Sequence, residues 1–313
     1  MNQTIAEVMG GLGNQMFIYA FARAQQLAWG GRCLLVDRQD GPVDHAVCAL
    51  ESLCISPEVE ITRDANAMKT AMPFANALRS LALRHETRHG GMMGRDWSGF
   101  ERRLCPIFNR FGVHFATEGF LPCRRTTENL LAWGYFQAEE YFVPYTEDIR
   151  RELRPKPEQI PTGEFADALA NARKAGRTIC VHARRGDYLK PENAALQVCT
   201  LSYYRRAIAA AQKALPGAAF VFFSDDPNWV RENLQVPGSP ALYAPAGGTA
   251  VGDLALMQQC SDFILSNSTY SWWAQYLSTA PDKQVFAPDR WYAGGKKTAL
   301  YQAFWQLIDT REA

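Results

Sequence analysis

The sequence predicts an α/β protein made of two open, parallel-type sheets in two domains. Short apolar runs alternate with longer amphipathic stretches along most of the chain, which is the pattern of strands and helices wound into a parallel sheet. A glycine-rich turn, Gly10-Gly11-Leu12-Gly13, links the first apolar run to the first amphipathic one. A break with three prolines, Arg154-Pro155-Lys156-Pro157-Glu158-Gln159-Ile160-Pro161, interrupts the alternation, which then starts again. Proline cannot continue a helix and stiffens a linker, so the break divides the chain into domains 1–155 and 156–313.

Residues 5–9 form the first expected strand. Residues 14–29 follow as a helix with Met16, Ala20, Ala24 and Leu27 near one face, and Gly30 and Gly31 end it. Residues 33–36 are a second strand. Residues 64–128 have weaker periodicity and predict helices and long loops. Arg79, Arg84, Arg88, Arg95, Arg102 and Arg103 crowd there with His85 and His89. Residues 130–136 predict a strand and 139–153 a helix. Past the break come a helix at 164–174, a strand at 178–181 running into His182, and a helix at 202–215. A strand at 219–223 then ends in Ser224-Asp225-Asp226. Further on are a helix at 252–260, a strand at 263–265, a helix at 270–277, a strand at 284–287 and a last helix at 298–308.

Composition excludes several classes. Of 313 residues, 47% are apolar, enough to bury a sizeable core, so a disordered chain is excluded. Lys and Arg number 33 against 32 acidic residues, which argues against a nucleic-acid or other broad polyanion surface. No apolar run approaches the ~18 residues of a membrane helix. Residues 1–7 have no basic start and no long apolar run, so no secretory signal is expected. Eight scattered cysteines without a C-x-x-C pair predict reduced, buried thiols and no zinc site.

In open α/β sheets ligands sit beyond the carboxyl ends of strands, and four such ends carry polar clusters. Gly10 to Gln15 is either a tight strand-to-helix turn or a site where backbone N–H groups meet an anion. Its spacing departs from G-x-G-x-x-G because position 16 is Met, although Asp37 closes the next strand as in a dinucleotide fingerprint. His182-Ala183-Arg184-Arg185-Gly186-Asp187-Tyr188 sets two arginines after a buried-looking strand. Arginine suits bidentate phosphate binding, and strand alternation would turn His182 and Arg184 one way and Arg185 the other, toward a structural pair. Asp225 and Asp226 either accept donors from a base or ribose or cap the next helix, and capping is the better reading for Asp226 because Pro227 follows. Ser266-Asn267-Ser268-Thr269-Tyr270-Ser271 supplies more hydroxyls than one N-cap needs, as a pyrophosphate cradle would. Trp272 and Trp273 after it are expected in the core. Two anion-binding devices in one sheet fit a nucleoside diphosphate, and no D-x-D element is present to bridge it through a metal.

Together, Gly10-Gly11-Leu12-Gly13-Asn14-Gln15-Met16-Phe17, the His182–Tyr188 element, Phe223-Ser224-Asp225-Asp226 and the segment from Asp262 to Trp273 resemble the α-1,2-fucosyltransferases of glycosyltransferase family 11. The order and spacing agree from about residue 5 to 292. The resemblance implies a GT-B-like fold of two facing Rossmann-type domains with an interdomain cleft. The C-terminal domain would bind GDP-β-L-fucose and the N-terminal domain would take the acceptor. It implies inversion at the fucose carbon with no metal and no cofactor. Arg184 would hold the β-phosphate and His182 would lie near the nucleotide with Arg185. Asp225 or Asp226 would meet guanine or ribose, and Ser268 and Thr269 would meet the diphosphate, with Ser266 and Asn267 also donor-binding. Gly11 and Gly13 would also be donor-binding, and Asn14 would reach across the cleft toward the fucose or the diphosphate. The implied acceptor is the 2-hydroxyl of a terminal β-galactose, in a free oligosaccharide or a surface polysaccharide repeat, lipid-linked forms included. The resemblance is to bacterial members without the animal anchor. It implies a cytoplasmic protein, peripheral at the inner face of a bacterial membrane if the arginine-rich stretch 79–103 touches anionic lipid rather than water.

For the proton on the acceptor hydroxyl, Asp187 is the first candidate base and Glu192 a poorer one, with Glu139 or Glu140 in the other domain. Asp187 could equally orient Arg184 or Arg185. Two other classes stand beside this reading. One is an NAD-dependent oxidoreductase using the first βαβ unit and Asp37, and the other a sugar-nucleotide-binding module without catalysis.

Overall fold

The computed structural model describes residues 2–37, 48–64, 66–88, 98–117 and 119–311. It divides into two compact units, Met1–Leu153 and Arg154–Ala313.

The first unit opens with β1 (Gln3–Val8), α1 (Leu12–Trp29) and β2 (Arg32–Asp37). Next come β3 (Val59–Thr62), α2 (Ala67–Ala71), α3 (Pro73–Arg88), α4 (Ser98–Asn109), β4 (Val113–Ala116), β5 (Asn129–Gly134) and α5 (Thr146–Glu152). The sheet order is β3-β2-β1-β5-β4, with every pairing parallel. Such sheets are covered on both faces, so their strands are buried throughout. On one face Ile5, Leu34, Leu131 and Trp133 pack under α2, α3 and α4 through Met68, Ala75 and Cys105. Within α1 the side chains of Phe17, Tyr19 and Phe21 are fully buried.

The second unit contains α6 (Glu164–Ala175), β6 (Thr178–Ala183), α7 (Leu201–Ala214), β7 (Ala219–Ser224), α8 (Pro227–Asn233) and β8 (Ala241–Tyr243). After these come α9 (Ala250–Met257), β9 (Asp262–Ile264), α10 (Thr269–Leu277), β10 (Val285–Pro288) and β11 (Gln306–Ile308). Its order is β11-β10-β9-β6-β7-β8, again all parallel. Alternation along β6 sends Ile179, Val181 and Ala183 into one core with Tyr203, Tyr204 and Ala207 of α7. Trp272 and Trp273 are buried as expected; Trp272 stacks on Tyr276 at 4.7 Å and donates to the Leu300 carbonyl at 2.8 Å.

Both sheets reverse direction once. Strands are added outward from β1 through β2 to β3, and the chain then returns to place β5 on the other side of β1. In the second unit the reversal lies between β6 and β9. A crevice opens beyond the carboxyl ends of the two strands at such a point, so the fold itself marks the ends of β1/β5 and of β6/β9.

The α/β alternation predicted from sequence is found, with four departures. The helix expected at 139–153 is instead two short 3-10 turns, Glu139–Tyr141 and Val143–Tyr145, followed by α5. Pro144 has no N–H to give and its ring clashes with the preceding turn, so one continuous helix cannot form. The helix expected at 298–308 does not form either. Leu300 and Trp305 are buried while Phe304 and Leu307 are exposed, and the chain ends its unit by pairing β11 along β10. Residues 64–128 hold three helices and the edge strand β4, and the short strands β3 and β8 were not foreseen. His182 lies inside β6, which runs on to Ala183. Of the arginine-rich stretch, His89 and Arg95 lie outside the described residues, as do the side chains of His85 and Arg88.

Candidate active site

The site of the second unit is built where β6 and β9 part. His182 is 5% exposed on β6, and its Nδ1 lies 2.9 Å from Ser266 Oγ and 2.5 Å from Ser271 Oγ. The two hydroxyls are themselves 2.9 Å apart. Burial, reinforced by the charge of Arg184, pushes the His182 ring down to about 3, so it is neutral at any ordinary pH. Tyr270 stands beside it with ring centroids 5.3 Å apart.

The strand alternation that would pair His182 with Arg184 ends at Ala183, and the two guanidinium groups take separate partners. Arg184 is held by Asp187 at 2.6 Å and Asp225 at 3.1 Å, and its guanidinium lies 5.6 Å from the Tyr188 ring centroid. Arg185 stacks 3.7 Å over Trp229, pairs through Nε with Asp226 at 3.1 Å, and donates its backbone N–H to Asp225 at 2.8 Å. Gly186 fits between them because it has no side chain. A Cβ there would stand 2.6 Å from Asp225 Oδ2. Asp226 also caps α8, accepting the Trp229 N–H at 3.2 Å, so it serves as both cap and ion-pair partner.

The hydroxyl-rich turn divides its labour. Ser266 and Ser271 face His182, and Ser268 caps α10 by accepting the Tyr270 N–H at 3.3 Å. Asn267 is 1% exposed and spends its amide N–H groups on the carbonyls of Leu196 and Trp291, both at 2.9 Å. Thr269 opens the helix, half-buried, at its positive end.

Arg184, Arg185, Tyr188, Trp229 and Asn267 line a pocket of about 590 Å³, together with Arg290 and Thr310. That volume suits a nucleotide-sized ligand. Arg290, Thr310 and Trp229 were not singled out from sequence, because nothing local marks them. The link between Arg290 Nε and Thr310 Oγ1, 2.7 Å, exists only once β10 and β11 pair. Asp253 was also missed. It sits in the first turn of α9, where burial pushes its carboxyl up to about 6, and its charge acts on Tyr270 and Cys180. The Thr249 cap of that helix, accepting the Gly252 N–H at 3.0 Å, was the available signal.

In the first unit the corresponding strand ends hold Asn14. Gly10 turns the chain with φ +71, and a Cβ there would stand 2.7 Å from Asn14 Nδ2. Gln137, just past β5, donates to Asn14 Oδ1 at 2.9 Å and so ties the two sides of the crevice. Gly11 has ordinary extended backbone and open space around it, and Gly13 is buried in the first turn of α1. Gln15 joins the Gly10 carbonyl to the Ala49 N–H, each at 2.9 Å, as a brace. Asp37 is buried at the end of β2, with Arg63 at 3.7 Å. Among the described residues no group of three or more His, Cys, Asp or Glu is placed to hold a metal ion.

Comparison with known proteins locates this arrangement. The model of the family described as Glycosyl transferase family 11 matches residues 114–309. The Escherichia coli O-antigen biosynthesis glycosyltransferase WbnK is 33% identical over 133 residues, 41% of this chain and 43% of its own length. The Escherichia coli alpha-1,2-colitosyltransferase is 29% identical over 164 residues, 51% of this chain and 55% of its own. These alignments span about half the length of the relatives. The crystal structure of fucosyltransferase NodZ from Bradyrhizobium is similar in fold, with a TM-score of 0.54 at 16% identity over 90% of this chain and 94% of that one.

Proposed function

The chain belongs to glycosyl transferase family 11, and from that premise we propose that it transfers L-fucose from GDP-β-L-fucose to the 2-hydroxyl of a terminal β-galactose, with inversion and without a metal. The observation that carries this reading is Arg184, fixed by two carboxylates at the β6/β9 reversal and lining a nucleotide-sized pocket with Arg185 and Arg290. When the bond between the sugar carbon and the β-phosphate oxygen breaks, its electron pair and the developing charge pass to the diphosphate. A guanidinium already oriented toward that charge lowers the barrier without reorganising. Neutral His182, the N-terminus of α10 and Thr269 add donors of the kind a nucleoside diphosphate accepts.

The new bond forms from the acceptor oxygen to the same carbon on the opposite face, and the hydroxyl proton leaves to a base or to water. The 2.6 Å pair with Arg184 supports a positioning role for Asp187 over that of base. The first unit, with Asn14 held at its own strand reversal, is assigned to the acceptor. An NAD-dependent reading would rest on the β1-α1-β2 unit and Asp37 alone, and family membership displaces it.

The test offers GDP-fucose, and separately GDP-colitose because a relative is named for that sugar, with lactose, N-acetyllactosamine and Galβ1-3GalNAc. Each mixture is run with and without a chelator. The expected product carries an α-1,2-linked fucose and forms equally well with chelator. Loss with chelator ends the metal-free claim, and transfer of colitose alone moves the donor. GDP binding with no transfer or hydrolysis would leave a binding module.

A further inference from the structure

Arginine 79, counted from sequence with the exposed cations, turns inward to pair with buried Glu7. What remains outside on α3 and α4 is a face of unusual composition. On α3, Phe74 is 62% and Leu81 56% exposed, two helical turns apart on one side, and exposed Arg84 follows. On α4, Glu101, Cys105 and Asn109 point into the core while Arg102, Arg103, Ile107 and Arg110 are exposed, and Phe111 just beyond is 49% exposed. The rings of Phe74 and Phe111 meet at 5.9 Å, so the start of α3 and the end of α4 belong to one surface.

Among its residues whose side chains are described, the exposed charge has one sign. No acidic residue occurs from 66 to 84 or from 102 to 117. Glu101, at the edge of this span, is buried and accepts the Thr117 N–H at 2.8 Å. None of Arg84, Arg102, Arg103 and Arg110 has an ion-pair partner among the described residues. Large apolar side chains left in water mark a contact surface. Four arginines around them select an anionic partner, and the combination of shallow apolar groups with a basic rim is that of interfacial membrane binding.

We propose that this outer face of α3 and α4 docks on an anionic lipid bilayer, with Phe74, Leu81, Ile107 and Phe111 entering the headgroup boundary and Arg84, Arg102, Arg103 and Arg110 meeting lipid phosphates. Arginine stems lie along apolar surface while their heads stay at the phosphate level. The inference is independent of the sugar-transfer reading.

The test is co-sedimentation of the full chain with vesicles of phosphatidylcholine alone and of equal parts phosphatidylcholine and phosphatidylglycerol. Binding is expected only to the anionic vesicles and should weaken as salt rises. The Arg102→Gln/Arg103→Gln/Arg110→Gln variant should lower partitioning roughly a hundredfold. The Phe74→Ser/Leu81→Ser variant should lower it at low salt too, with the far-UV circular dichroism and the melting temperature unchanged in both as the check on folding. Equal binding to neutral vesicles, no binding of the parent, or a folded arginine variant that binds like the parent overturns the proposal. A dimer in sedimentation equilibrium that Phe74→Ser/Leu81→Ser dissociates would give the face to a second copy and overturn it as well. If the serine variant fails to fold, the arginine variant and the salt titration still decide.

Discussion

Arg184 sits among carboxylates rather than in a bare cationic patch, and this sets what its removal should do. Asp187 and Asp225 bind it from two sides, which fixes the fork and offsets part of its charge before any ligand arrives. If Arg184 holds the leaving group as proposed, Arg184→Ala removes that contact and leaves two carboxylates in its place, so kcat/KM should fall roughly a hundred- to thousandfold. Near-parental turnover would remove Arg184 from the chemistry. Asp187→Asn separates two roles. A positioning residue loses part of the rate and keeps the pH profile, whereas a base loses the acidic limb of the kcat profile. Asp253 gives a pH test of stability. Burial holds its carboxyl at about 6 against an ordinary 3.8. The folded state therefore favours the protonated form, and stability falls as pH rises from about 4 to about 6. The penalty stays above that, at most about 3 kcal/mol. Asp253→Asn should melt higher than the parent at pH 7.5, with the gap closing toward pH 4, and an unchanged gap across that range would refute the assignment.

At the scale of elements, close approach by glycine decides the site loops. At Gly186 a Cβ would meet Asp225 Oδ2 at 2.6 Å, so Gly186→Ala should push apart the loop that carries Arg185 and Asp187. We expect donor KM to rise at least tenfold with a melting loss of only a few degrees; unchanged donor KM would show that the loop yields without cost. The same elements explain what was legible in the sequence. Strand-helix alternation revealed β1, α1, β2, β6, α7 and β7, because burial on both faces leaves continuous apolar runs. The polar residues after β6, β7 and β9 were legible because charges beside such runs are costly unless used. Edge strands β3, β8 and β11 were not, since three or four residues carry too little periodicity, and β11 was taken for a helix. Arg290 and Thr310 escaped for a related reason: their roles come from strand pairing far along the chain. The 139–153 stretch failed locally, at Pro144.

Over the whole molecule, each unit has its own parallel sheet and core, and the pocket proposed for the nucleotide is lined entirely by residues of the second. GDP should therefore slow amide hydrogen exchange around Arg184–Asp187 and Ser266–Tyr270 and leave the amides of β1 to β5 as they were. Protection confined to the first unit would move the nucleotide there. The order β11-β10-β9-β6-β7-β8 has one more consequence, which concerns the birth of the protein. The strand that carries His182 cannot gain its β9 neighbour until some eighty further residues have been made, and the Arg290–Thr310 wall comes later still. At a synthesis rate of about 5–20 residues per second, the half-built sheet waits roughly ten seconds with one side of β6 unpaired. During that interval β6 is an open edge, a template for wrong partners. The nascent chain is thus open to misassembly at the strand the candidate site depends on, and that site is complete only after the pairing that ends the risk.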